Sequence, residues 1–78
     1  MKYRTKDIWT ATALFTQGFK CEAEVVGKLK NGRNQYEFVF DESPELKEQV
    51  YNFQSNNLSL DIKTFEDNFV ILKNLTFN

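Results

Sequence analysis

The stretch Gly18-Phe19-Lys20-Cys21-Glu22-Ala23-Glu24-Val25-Val26-Gly27-Lys28-Leu29-Lys30-Asn31-Gly32-Arg33-Asn34-Gln35-Tyr36-Glu37-Phe38-Val39-Phe40-Asp41 reads as a β-hairpin folded about Asn31-Gly32. Asn-Gly suits a two-residue type I′ turn, because both central positions need φ > 0 and these residue types reach it at the least cost. With Asn31 and Gly32 as the loop, Lys30 faces Arg33, Gly27 faces Tyr36, Val25 faces Phe38 and Ala23 faces Phe40. Those pairs share one face, small against large. Glu24, Val26, Glu37, Val39 and Asp41 take the other, and a one-residue slip would bury the charges.

The hairpin sits between helical patterns. Upstream, Lys2, Arg4 and Lys6 form a short basic arm that ends where Thr5 caps a helix and Asp7 occupies its first turn. Ile8, Ala11, Leu14, Phe15 and Gly18 then fall on one helical stripe, and Gly18 closes the helix in the left-handed conformation. Downstream, Ser43 reads as an N-cap, Pro44 as the first helical residue and Glu45 as a first-turn acid. This second helix turns Leu46, Val50 and Phe53 inward and stops near Ser55-Asn56-Asn57. Leu58-Ser59-Leu60 alternates weakly enough to suggest only a short third strand at 58–60. Asp61 caps a last helix with the stripe Ile62, Phe65, Phe69, Leu72 and Leu75, and with Lys73 near its C-terminal end. The expected order is helix, β-hairpin, helix, helix: an α+β domain over residues 1–78 with helices on one face of a small antiparallel sheet. A two-stranded ribbon is unstable alone, so helices one and three should cover the Val25, Tyr36, Phe38 and Phe40 face.

Composition narrows the chemistry. The 78 residues include eight Phe, three Tyr and one Trp, enough large side chains for one small core. With no His and a single Cys21, the sequence offers no intramolecular disulfide, no zinc set and no Cys-His pair. No metal or cofactor is expected, and no enzyme motif is present. The glycines are spaced for turns rather than for a phosphate loop. Without an apolar run of membrane-spanning length or a signal-peptide pattern, the expected location is the cytoplasm.

Net charge is −1, yet it is unevenly placed. Residues 1–40 carry seven Lys/Arg against four Asp/Glu, and residues 41–78 carry three against seven, so the halves sum to +3 and −4. The acidic cluster Asp41, Glu42, Glu45 and Glu48 is accounted for by helix capping and also suits a basic partner. The tip residues Lys28, Lys30 and Arg33 suit a solvated hairpin end that resists edge pairing, or a ribbon laid along phosphates. Trp9 lies roughly 100° round the helix from Ile8, and Tyr51 sits to one side of the second helix with Lys47. Each is either covered by a neighbouring element or exposed as a partner anchor.

Several features together resemble a family of small uncharacterised domains carried by Gram-positive bacteria, their phages and their mobile elements. They are Thr5-Lys6-Asp7 opening a helix, Gly18-Phe19 ending it, the run from Tyr36 to Leu46, Asp61 before Phe65, and Leu72-Lys73-Asn74-Leu75. Ile62 stands where the family often has proline. The resemblance supplies no activity or site residues. It implies a setting in mobile DNA, where short acidic proteins without catalytic residues are often inhibitors of host defence, anti-CRISPR proteins among them. In that setting Asp41, Glu42, Glu45 and Glu48 would meet a basic nucleic-acid channel on a protein complex, with Trp9 or Tyr51 as anchor. The alternative is a nucleic-acid-binding or regulatory module using Lys28, Lys30 and Arg33.

Overall fold

The computed structural model describes residues 1–76. In chain order the elements are β1 (Lys2–Thr5), α1 (Ile8–Thr16), β2 (Glu22–Lys28), β3 (Asn34–Asp41), α2 (Pro44–Gln54) and α3 (Ile62–Leu75). The α+β class and the helix, hairpin, helix, helix order hold. The sheet is antiparallel and three-stranded, in the order β1-β3-β2. Its third strand is not the 58–60 segment, which forms no strand, but the basic arm at the start of the chain. Lys2-Tyr3-Arg4-Thr5 alternates outward and inward side chains, and Tyr3 pairs with Phe40 while Thr5 pairs with Phe38. This makes β3 the central strand. Val39, on the outer face between Arg4 and Glu22, is consequently only 4% exposed.

The hairpin register differs from the expected one by two residues. Phe38 pairs with Ala23 and Tyr36 with Val25, so the same residues keep the same face. The loop is longer than two residues. The Leu29 N–H donates to the Arg33 carbonyl (2.7 Å) and the Gly32 N–H to the Leu29 carbonyl (3.0 Å), leaving Lys30-Asn31-Gly32 as the connection. Only Gly32 is left-handed there, at φ 85°. Asn31 instead accepts the Arg33 N–H through its side chain (3.0 Å), a type I turn followed by a left-handed glycine. A register shift between Val25 and Gly27 makes Val26 an extra residue, a β-bulge. Val25, expected to be buried against Phe38, is 56% exposed because the hairpin runs on past the helices.

Helix α1 is the centre of the molecule. Asp7, not Thr5, is its N-cap: the Asp7 carboxylate accepts the Trp9 N–H (3.1 Å) and the Thr10 hydroxyl (2.7 Å). Beyond Gln17, Gly18 at φ 99° and Phe19 return their N–H groups to Phe15 and Leu14, which closes the helix as expected. Every residue from Thr10 to Leu14 is buried, since the sheet, α2 and α3 all pack on this one helix. Its small side chains allow close approach. The buried hydroxyls are satisfied locally, with Thr12 donating to the Ile8 carbonyl (2.7 Å) and Thr10 to its cap.

The core unites Ala11 and Leu14 of α1, Phe38 and Phe40 of β3, Leu46 of α2 and Leu72 of α3. Burying each of the larger aliphatic or aromatic side chains contributes about 1.5–3 kcal/mol. Helix α2 therefore shares the cover expected of α1 and α3 alone. Its caps follow the sequence: Ser43 Oγ accepts the Leu46 N–H (3.1 Å), and Asn56, left-handed at φ 59°, ends it. Asp61 caps α3 by accepting the Thr64 N–H (2.9 Å). The α3 stripe is narrower than its periodicity suggests. Ile62 is 74% exposed and Leu75 53%, because α3 packs chiefly on α1 rather than on a broad surface.

Candidate functional site

The acidic group gathers where β3 passes into α2, and two of its members already hold cations. Asp41 is paired with Lys2 across the β1–β3 ladder, and this contact lowers the Asp41 pKa and raises that of Lys2. Glu42 accepts from Lys47 Nζ (2.7 Å), which likewise lowers its pKa. Glu45 and Glu48 stand exposed on α2, and Tyr51 follows one turn after Glu48 at 66% exposure. Beside them Met1, Glu42, Pro44 and Lys47 border an open cleft of about 410 Å³.

Trp9 lies elsewhere, on the side of α1 that meets α3. Its indole stacks on Phe69, with centroids 4.6 Å apart at 22°, and runs parallel to Phe65 at 6.1 Å and 3°. The sequence left open whether a neighbouring element covers this residue. The last helix covers one side of the ring, yet 54% of the residue remains exposed. Nearby, Asn68 Nδ2 donates to Thr16 Oγ1 (3.0 Å), tying the same two helices together. Trp9 and Tyr51 thus belong to different helices and do not form one aromatic patch through any contact among the described residues.

At the far end of the hairpin, Lys28, Lys30 and Arg33 are exposed as expected. Lys20 is at the opposite end of the sheet, beside Asp41. The tip gains a residue that sequence reasoning missed. Because β1 is a strand antiparallel to β3, Lys6 emerges next to Leu29, Asn34 and Gln35. Together with Ile8, Tyr36, Phe38 and Thr76 they line an open groove of about 220 Å³. Among the described residues no carboxylate lines it. The alternation of Lys2-Tyr3-Arg4-Thr5 was the available signal, since reading it as a strand carries Lys6 to the tip.

Other chemistry is sparse. On the outer sheet face Glu24 and Glu37 lie directly opposite, a destabilising juxtaposition that Arg4 offsets by donating to both, at 2.8 and 3.5 Å. Burial pushes the Cys21 thiol up to about 11, so it stays protonated near neutral pH and is a poor nucleophile. Among the described residues no group of three or more His, Cys, Asp or Glu could hold a metal ion, and no helix is long and apolar enough to cross a membrane.

An α+β domain with an open three-stranded sheet and three helices is the class these features define. Residues 1–78 match a domain of unknown function, DUF5659, and the chain belongs to that family. No curated protein and no solved structure matches it.

Proposed function

We propose that this chain is a non-enzymatic protein-binding module of the cytoplasm, used by a phage or mobile element of Gram-positive bacteria to occlude a host defence complex of the anti-CRISPR target type. The observation that carries this reading is Trp9, held flat against Phe69 while more than half exposed. A tryptophan fixed by its own fold loses little freedom when a partner covers it, which is what interface anchors require. Glu45 and Glu48, exposed on α2, add a second contact suited to a basic nucleic-acid channel. Resemblance to small domains of mobile DNA supplies the biological setting. The test uses three immobilised baits in a host lysate: the native chain, Trp9→Ala, and Glu45→Lys with Glu48→Lys. A partner retained by the first and lost from either variant supports the reading. A partner held equally by all three, or none at all, overturns it.

A second reading is a nucleic-acid-binding module, favoured by Lys6 lining the same groove as Leu29, the residue between the exposed Lys28 and Lys30. Affinity for duplex DNA would then fall with salt, by a slope of about 0.9 per phosphate neutralised. Binding that does not respond to salt would remove it.

A further inference from the structure

The groove beneath the hairpin tip combines three properties. Its lining includes Ile8, the half-buried Tyr36 and the deeply buried Phe38. Its rim carries the side-chain amides Asn34 and Gln35, each able to donate and to accept. One cation, Lys6 from the β1–α1 connection, lines it, and the exposed Lys28 and Lys30 flank Leu29, which lines it too. At about 220 Å³ the groove is smaller than the roughly 300–1,000 Å³ of drug-sized ligand sites, so it fits one ring rather than a folded surface.

We infer that this groove seats one unstacked base of a single-stranded nucleic acid, with Lys6, Lys28 and Lys30 holding the flanking phosphates. The inference rests on the nucleic-acid reading above and sharpens it from a basic tip to a defined site. A single strand fits better than an acidic peptide because its negative charge recurs at every unit on either side of the seated ring. A peptide would have to combine an aromatic residue with correctly spaced acids. A single strand also fits better than a duplex, whose bases cannot enter a concave site without leaving the stack. Stacking on an aromatic side chain together with a basic track is the general means by which single strands are held.

Fluorescence anisotropy with a labelled oligothymidylate and oligouridylate tests this, with a duplex of equal length and polyglutamate as comparisons. The native chain should prefer the single strands. Three phosphate contacts at a slope of about 0.7 each predict roughly twenty-fold weaker binding between about 50 and 200 mM salt. Tyr36→Leu, which keeps an apolar lining but removes the ring, should weaken binding about five-fold or more. Leu29→Asp adds a carboxylate at a site that is 45% exposed and should abolish binding without unfolding the chain, as circular dichroism would verify. Lys6→Glu should weaken binding as strongly as Lys30→Glu does. If Lys28→Glu and Lys30→Glu abolish binding while Lys6→Glu and Tyr36→Leu leave it intact, the groove is not the site, although the tip reading stands. Equal affinity for duplex, or equal competition by polyglutamate, overturns the groove in the same way. Absence of any binding at low salt overturns both.

Discussion

The Trp9 indole rests on the Phe69 ring with centroids 4.6 Å apart, so the exposed first turn of α1 and the middle of α3 are joined by a stacked aromatic pair. Such pairs contribute about 0.5–1.5 kcal/mol beyond the area they bury. A double-mutant cycle of Trp9→Ala and Phe69→Ala, followed by urea unfolding, should therefore return a coupling of about that size. A coupling near zero would mean that the rings do not touch in solution. Trp9 is the only tryptophan, so its emission reports this contact directly. Phe69→Ala should make that emission easier to quench with iodide while the far-ultraviolet spectrum stays unchanged.

Phe38 lies opposite Ala23 at 3% exposure, whereas Val25 lies opposite Tyr36 and is 56% exposed. The two positions should respond very differently to truncation. Phe38→Ala is expected to cost about 3–5 kcal/mol, the range for removing a core aromatic. Val25→Ala should stay within about 0.5 kcal/mol, as for surface changes away from special features. Equal costs in chemical denaturation would restore the tighter hairpin in which Val25 and Phe38 pair.

Gly32 tests the same hairpin at its loop. It alone of the loop residues is left-handed, at φ 85°, with nothing near enough to obstruct a side chain. Gly32→Val should thus destabilise through backbone strain, by about 1–3 kcal/mol. Asn31→Ala removes only an acceptor for the Arg33 N–H and should cost about 1 kcal/mol or less. A larger loss at Asn31 than at Gly32 would indicate that the left-handed residue is misplaced.

What could be read from the sequence divides along the range of the interactions. Ser43 with Pro44, Asp61 and Gly18 were legible because each acts on backbone groups within a few residues. The hairpin faces were legible because a shift of two residues preserves the alternation. Its register was not, since Asn-Gly serves both a two-residue and a three-residue loop, and the bulge at Val26 leaves no compositional mark. Strand β1 depends on β3, far along the chain, and without that partner Lys2 to Lys6 reads as a basic arm. Missing β1 also hid the position of Lys6. Ile62 and Leu75 follow the helical period of α3, but period does not tell how wide a seam the neighbouring helix fills. The acidic and basic groups were found, whereas the ion pairs Lys2–Asp41 and Lys47–Glu42 depend on tertiary placement.

Asp7 caps α1 where Thr5 was expected to. Its carboxylate accepts the Trp9 N–H at the helix start and the hydroxyl of Thr10, which is 3% exposed. Asp7→Ala leaves both donors without that acceptor, so about 1–2 kcal/mol should be lost on thermal or urea unfolding. Asp7→Asn keeps one carbonyl acceptor and should fall between the two. If Asp7→Ala proves neutral, the cap has been assigned to the wrong residue.

Acid should reveal which carboxylates are held by hydrogen bonds and which by exposed charge. The Thr64 hydroxyl and then its N–H hold Asp61 below its ordinary pKa, while Lys2 does the same for Asp41, first by hydrogen bond and then by charge. A pKa depressed on folding means that the native state binds fewer protons than the unfolded chain. That contribution is complete above the unfolded carboxylate pKa of about 4 and is lost as pH falls through the depressed folded value. Lys2 and Lys63 have raised values, so their contributions hold below about 10.4 and fade only at higher pH. The unfolding midpoint should accordingly be level around neutrality and decline below about pH 4. Asp61→Asn, still a good N-cap, should change little at pH 7 and soften the acid decline. Asp41→Asn should soften it too, but only at low ionic strength, because its exposed pairing with Lys2 is screened by salt. If molar salt erases the Asp61 effect as fully as the Asp41 effect, Asp61 is not held by the Thr64 hydrogen bonds.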